Sequence, residues 1–249
     1  MAGLFAEPWS DPDDARLRAA CAPRTGWAGF HYDCGLPPDK LKVLLHEAAR
    51  AKLRVCGIRA SMADSFIDVA RYAPIDDLRW VVAHPATLSG EQIAGIRDNG
   101  MVVTTHTGAY IWRRAAATLR QVGKAQEHTI CPIRSLLDAG VPVSLATDNV
   151  PISLWPCIWH AVERMDRETG GVIAPTQRIG REEALRCATT HGAWLCLDEN
   201  ERGSLEPGKQ ADLIVLRDNP LTMEASALSA VRPDMTWVGG KKVFAAGQD

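Results

Sequence analysis

Three polar residues stand where apolar runs end. His84 follows Leu78 to Ala83, His106 follows Met101 to Thr105, and Asp148 closes the run Val141 to Ala146 with one threonine between. Runs of this kind read as buried parallel strands, and residues at strand carboxyl ends project onto the face where α/β proteins assemble their sites. Two imidazoles and a carboxylate there suit a zinc-like divalent ion. The carboxylate can also act as general base toward a metal-bound water, whose pKa falls to about 7. The same residue types have plainer uses. A strand-end histidine can bond a neighbouring loop, and a strand-end aspartate can cap the next helix. Spacing alone leaves both open.

The elements that must position these residues alternate. Asp39 to Ala51 carries Leu41, Leu44, Leu45, Ala48 and Ala49 at helical spacing, and Leu53, Val55 and Ile58 read as a short strand. Ser65 to Tyr72 reads as a helix ending before Pro74. Ser89-Gly90-Glu91-Gln92 is a capping box that opens a helix to Asn99, and Gly100 is its left-handed stop. After Thr105 a polar stretch runs to Glu127. Pro132 to Ala139 is a helix closed by Gly140, and two longer helices are expected near Trp155 to Arg167 and Arg181 to Leu195. Short β and α segments in alternation predict a parallel sheet of right-handed βα units. After Gly203 the pattern turns to strands at Asp212 to Leu216, Met235 to Val238 and Lys241 to Ala245, which places a boundary near Asn200. The first forty residues, with Pro8, Pro12, Pro23, Pro37 and Pro38, read as irregular.

Bulk properties exclude several classes. The 249 residues are 46% hydrophobic and 23% charged, a composition of globular rather than disordered chains. Lys and Arg total 28 against 30 Asp and Glu, for a net charge of −2, so no bulk charge recruits nucleic acid or a membrane surface. No apolar run approaches the roughly 18 residues of a membrane span. The acidic, proline-broken segment Met1 to Ala20 is not expected to be a signal peptide. The cysteines Cys21, Cys34, Cys56, Cys131, Cys157, Cys187 and Cys196 lack framework spacing, which fits packed thiols in a reducing cytoplasm.

A set of longer motifs carries a resemblance. Thr147-Asp148-Asn149-Val150-Pro151, Glu182-Glu183-Ala184-Leu185-Arg186, the stretch Gly203 to Leu216 (GSLEPGKQADLIVL) and the closing Val238 to Phe244 (VGGKKVF) resemble the amidohydrolase superfamily. The loop Trp155 to Gln177 and Gly192 to Leu195 (GAWL) resemble amidohydrolase family 3, the N-substituted formamide deformylase-like branch. The resemblance implies a metal-dependent-hydrolase TIM barrel, of which this chain holds the C-terminal half, strands 5 to 8. Residues 1–200 would form the partial, catalytic-type barrel, and 201–249 part of a small accessory β-sandwich. It also implies hydrolysis of a non-peptide C–N bond, an amide or N-formyl group, in a small-molecule substrate, with a divalent metal, zinc by family habit.

By order, His84 matches the sixth-strand metal ligand. Asp148 matches the eighth-strand ligand that also takes a proton from the attacking water, and His106 follows the seventh strand facing substrate. Asn149, Tyr110 and Trp155 are the remaining substrate-side candidates. Tyr110, Trp112, Trp155 and Trp159 lie where barrel loops line a pocket, although core packing uses the same aromatics. His46, His160 and His191 are expected to be solvated, packed or capping, and His31 and His128 carry no signal.

The departures are as informative as the matches. No His-x-His occurs anywhere, and after the expected fifth strand the family's histidine is missing, with Ala60 at its position if Asp64 is the acidic residue that follows it. Two candidate ligands remain, whereas zinc sites normally take three protein ligands and water. The opening Gly3 to Pro12 (GLFAEPWSDP) resembles the family's segment after the fourth strand. A half barrel leaves open strand edges, so a homo-oligomer or a chain supplying the other half is expected. The alternative is a catalytically inert remnant, or a scaffold or partner subunit of a split enzyme.

Overall fold

The computed structural model describes residues 37–148 and 152–247 and the backbone of a strand at 27–30. It resolves into two compact units, Met1–Thr104 with Ser135–Val141, and Thr105–Arg134 with Pro142–Asp249.

The first unit is a layer of parallel strands with helices between them. Its strands are β1 (Trp27–Phe30), β2 (Arg54–Ile58), β3 (Val81–Ala83) and the body of β4 (Val102–Thr105), hydrogen-bonded in that order. The register pairs Ala28 with Val55, Cys56 with Val81, and Val81 with Val102. The connecting helices are α1 (Pro38–Arg50), α2 (Ser61–Ala70) and α3 (Gly90–Asp98). Val55, Val81, Val82, Val102 and Val103 are buried, as strands covered on both faces require. Phe66 of α2 meets Trp80 edge-on at 4.8 Å, and a Cβ on Gly57 would lie 2.8 Å from Met62 and Phe66, so glycine lets α2 close onto β2.

Helix α3 begins where its sequence says. Gln92 N–H donates to Ser89 Oγ at 3.1 Å and Ser89 N–H donates to Gln92 Oε1 at 3.0 Å. Gly100 follows at φ +61°, and a Cβ there would sit 2.2 Å from the Asp76 carbonyl oxygen, so both backbone and space demand glycine.

Several expectations shift. Trp27 to Phe30, read as irregular, is a strand, because its backbone pairs with β2 along its whole length. The strand expected from Leu78 starts only at Val81, since Arg79 takes φ +49° and breaks extension. Helix α2 starts at Ser61, four residues before the sequence signal.

The second unit begins at the end of β4. The supposed polar stretch after Thr105 is helical almost throughout: a π-helix Gly108–Arg113, α4 (Ala115–Val122) and a 3₁₀ turn Lys124–Thr129. Helix α5 (Ile133–Asp138) spans the division between units, and strand β5 (Val143–Leu145) follows in the second. Ala146 N–H, just past β5, donates to the Thr105 carbonyl at 3.0 Å. Helix α6 (Trp155–Glu163) stops short of Arg167, because Arg164 turns left-handed at φ +56°. The last long helix is broken at Thr189 into α7 (Arg181–Ala188) and α8 (Thr190–Cys196). His191 of α8 meets β5, its Nδ1 3.1 Å from the Val143 carbonyl oxygen.

The chain ends in an antiparallel sheet, β6 (Leu213–Val215), β7 (Met235–Val238) and β8 (Lys241–Ala245), with α9 (Ala225–Leu228) before β7. Ile214 and Phe244 both pair with Thr236, so they share a face with Val238. All three apolar residues are about half exposed.

Among the described residues, Cys56, Cys131, Cys157 and Cys187 are free thiols and no helix is long and apolar enough to cross a membrane. Burial pushes the Cys187 thiol up to about 12 and Cys56 up to about 11, so both stay protonated packing groups.

Candidate active site

Two of the strand-end candidates adopt the same uncommon backbone. His84, after β3, has φ +54°, and Asp148, after β5, has φ +60°. Left-handed conformations in non-glycine residues cost about 1 kcal/mol or more and gather at functional sites. His84 belongs to the first unit. Its N–H donates to the Thr104 carbonyl at 2.8 Å, and its Nδ1 lies 3.4 Å from the Thr104 hydroxyl. The half-buried ring is thereby tied to the end of β4.

The second unit assembles the richer cluster. His106 leaves β4 buried, at 7% exposure, and its Nδ1 stands 3.2 Å from Asp148 Oδ2. The two residues lie far apart in sequence, and the bond between Ala146 and Thr105 brings their strand ends level. The π-helix then folds two more groups over the imidazole. Tyr110 meets it edge-on at 6.2 Å, and Arg113 Nη2 lies 3.5 Å from His106 Nε2. Burial holds the His106 imidazole below its ordinary proton affinity; Asp148 opposes this, and Arg113 and Arg114 reinforce it.

Behind this pair lies a second histidine. His160 of α6 is buried, stacks on Trp112 at 5.7 Å, and has Nδ1 3.4 Å from the Thr107 hydroxyl. Trp159 closes the aromatic group, 5.4 Å from Trp112. Burial, with His106 and Arg113 adding to it, pushes the His160 imidazole down to about 4.

That depression makes stability pH-dependent. The unfolded imidazole protonates near its ordinary 6.5 and the folded one only near 4, so the unfolded chain takes up more protons between these values. The stability this group confers is complete above pH 6.5 and is lost progressively as pH falls toward 4, up to about 3 kcal/mol. Denaturant unfolding of the wild type and His160→Phe across that window is expected to show a steeper fall in the wild type. Parallel curves would contradict the assignment.

The cluster rests on a buried scaffold that the sequence did not flag. The Arg164 guanidinium is fully buried and donates to the carbonyls of Ile173 (3.0 Å), Cys131 (3.0 Å) and Ile130 (2.7 Å). Cys131 Sγ in turn lies 3.0 Å from the hydroxyl of Thr105, the residue before His106. Asp166, also fully buried, accepts from Ala116 N–H at 3.1 Å, and Arg167 N–H donates to the Trp112 carbonyl at 2.7 Å, bracing the end of the π-helix and the start of α4.

The remaining sequence candidates are placed as follows. Tyr110 is half-buried beside His106, whereas Trp155, at the start of α6, is 8% exposed. Asn149 lies outside the described residues, as does His31. Ala60 caps α2, and Asp64 accepts at both oxygens from the Gln92 side-chain amide at 3.0 Å. Among the described residues no three His, Cys, Asp or Glu side chains gather closely enough to hold a metal ion. The described donors therefore do not amount to a complete metal centre on their own.

The amidohydrolase family profile matches residues 17–244. The chain belongs to the amidohydrolase family. This member is similar to the N-substituted formamide deformylase of Arthrobacter pascens, 37% identical over 158 residues, which cover 62% of this chain and 28% of that protein. It is also similar to the 5-methylthioadenosine/S-adenosylhomocysteine deaminase of Dictyoglomus thermophilum, 22% identical over 221 residues, covering 86% of this chain and 48% of the relative. Among solved structures, an atrazine chlorohydrolase variant from Arthrobacter aurescens, complexed with zinc and atraton, shares the fold. The TM-score is 0.58 at 19% identity, over 94% of this chain and 56% of that one. The family member described here thus spans less than half the length of these two curated relatives.

Proposed function

We propose that this chain contributes the later strands of a metal-dependent amidohydrolase that hydrolyses a non-peptide C–N bond, an amide or N-formyl group, in a small-molecule substrate. The observation that carries the reading is Asp148: a strained, half-exposed carboxylate at a strand end, braced by a buried histidine, in a chain of the amidohydrolase family. Asp148 is the general base that removes a proton from the attacking water, and a carboxylate ordered by a hydrogen bond is suited to that task. The formamide deformylase supports the substrate class.

His84 and Asp148 are each proposed as a metal ligand, and the metal as a divalent ion, with zinc favoured by the zinc-bound neighbour. The other ligands come from polypeptide outside the described residues, in the same chain or another. Asn149, Tyr110 and Trp155 are proposed as substrate-side residues. Residues 1–200 then form strands of a TIM-type barrel, and 201–249 form part of an accessory β-sandwich in a cytoplasmic enzyme. The half-exposed apolar face of Ile214, Val238 and Phe244 supports a missing sandwich layer, because such a face in isolation is left to water.

The test is formate release from N-butylformamide by this chain combined with a polypeptide that supplies the family's earlier strands. Turnover is expected from the combination. A second reading, an inert remnant or scaffold, is favoured by the lack of a three-donor group among the described residues. Absence of turnover from the completed barrel, on this and other amide substrates, would select it.

A further inference from the structure

We propose that His106 is a positioning residue: held between Arg113 and Asp148, it presents a fixed Nδ1–H to the Asp148 carboxylate. The assignment follows from what each neighbour can do. Arginine has donors only, so the nitrogen facing Arg113 Nη2, His106 Nε2 at 3.5 Å, carries the lone pair. With the lone pair on Nε2, the ring proton is on Nδ1, which faces Asp148 Oδ2 at 3.2 Å. The two neighbours specify the same tautomer from opposite ends of the ring.

The π-helix is what brings Arg113 into place. Arg113 Nε donates to the carbonyl of Gly108 at 3.1 Å, five residues back, which pins the guanidinium above the start of the helix. A Cβ on Gly108 would lie 3.6 Å from His106 Nε2, so the helix start runs in van der Waals range of the ring edge. Inserted turns of this kind are uncommon and recur at functional sites. Of the pair, Asp148 is the more open, with 49% side-chain exposure against 9% for the imidazole. His106 therefore acts through Asp148: it fixes Oδ2 and leaves Oδ1 outside that bond. The part played by Asp148 in hydrolysis rests on the reading above, but the tautomer does not.

The test is ¹⁵N NMR of the 249-residue chain with labelled histidine, the His106 signals assigned by their loss in His106→Gln. Free histidine prefers the Nε2–H form, so a protonated Nδ1 and a bare Nε2 are a specific signature. The wild type is expected to show it. Asp148→Ala is expected to keep it, because Arg113 still opposes a proton on Nε2, and Asp148→Ala with Arg113→Met is expected to switch to Nε2–H. A wild type in the Nε2–H form would overturn the proposal. So would a switch in Asp148→Ala alone, which would leave Arg113 without a part. In the completed barrel, His106→Leu is expected to lower kcat at least tenfold with KM within about twofold, and His106→Asn, which keeps a donor near Nδ1, is expected to recover part of the loss. A rise in KM at unchanged kcat would mark a substrate-binding residue instead. Because the NMR arm needs no substrate, failure of the tautomer and failure of the hydrolase reading are separately visible.

Discussion

Asp148→Asn is expected to lower turnover of the completed barrel by about 10³-fold while leaving the fold intact. The size follows from general-base catalysis, whose removal typically costs 10² to 10⁴. The integrity of the fold follows from the backbone. Asp148 sits at φ +60°, in a half-exposed turn, and asparagine tolerates the left-handed region at least as well as aspartate. The amide oxygen can still accept from His106 Nδ1, so the hydrogen bond persists while the base, and the charge Asp148 would offer a metal, are lost. Single-turnover formate release, paired with thermal unfolding of the same variant, separates the two. Full activity in Asp148→Asn would remove Asp148 from the mechanism.

The second large effect is on stability. Arg164→Met is expected to cost on the order of 3–5 kcal/mol, much of the 5–15 kcal/mol that a folded domain typically has. Methionine fills much of the volume, but three buried carbonyls lose the guanidinium at once: those of Ile130 and Ile173, and that of Cys131, which keeps the Ile133 N–H at 2.9 Å. Arg164→Lys is expected to recover little, because one ammonium cannot span three acceptors that a planar fork reaches. The loss should also reach the site, since Cys131 contacts Thr105 and Thr105 leads into His106. Denaturant midpoints of the two variants check this; values within about 0.5 kcal/mol of wild type would show that the buried guanidinium does not hold this unit together.

How much of this could be read from residues alone depends on range. Local signals were accurate. Ser89 and Gln92 formed their capping box, Gly100 took its left-handed turn, and the valine runs became parallel strands, because each is governed by a few neighbouring residues. Elements decided by packing were not legible. Gly108 to Arg113 carries no pattern that distinguishes a π-helix from the polar stretch expected there. Trp27 to Phe30 is a strand only by virtue of its partner β2. Arg164 and Asp166 fall in the helix expected near Trp155 to Arg167, and nothing local announces that both are fully buried.

The site divided along the same line. His84, His106 and Asp148 were visible as strand-end residues, since the periodicity of buried strands points to them. The partnership of His106 with Asp148 was not, because it depends on the register set by Thr105 and Ala146. Nor were Arg113 and His160, which reach the cluster through the π-helix and through α6. Resemblance supplied the roles that geometry alone leaves open, above all the metal. It also exposed the gap that matters most, the missing His-x-His.

His84 and Asp148 are each proposed to ligate a divalent metal, with ligands from outside the described residues completing its coordination. Zinc content after gel filtration of the barrel completed with the earlier strands tests this most directly, with wild-type chain and with His84→Ala/Asp148→Ala. About one tightly held zinc per completed wild-type barrel, and loss of most of it in the double variant, is the predicted result. A completed barrel that folds and holds no divalent metal, or one whose zinc is indifferent to both substitutions, would contradict it.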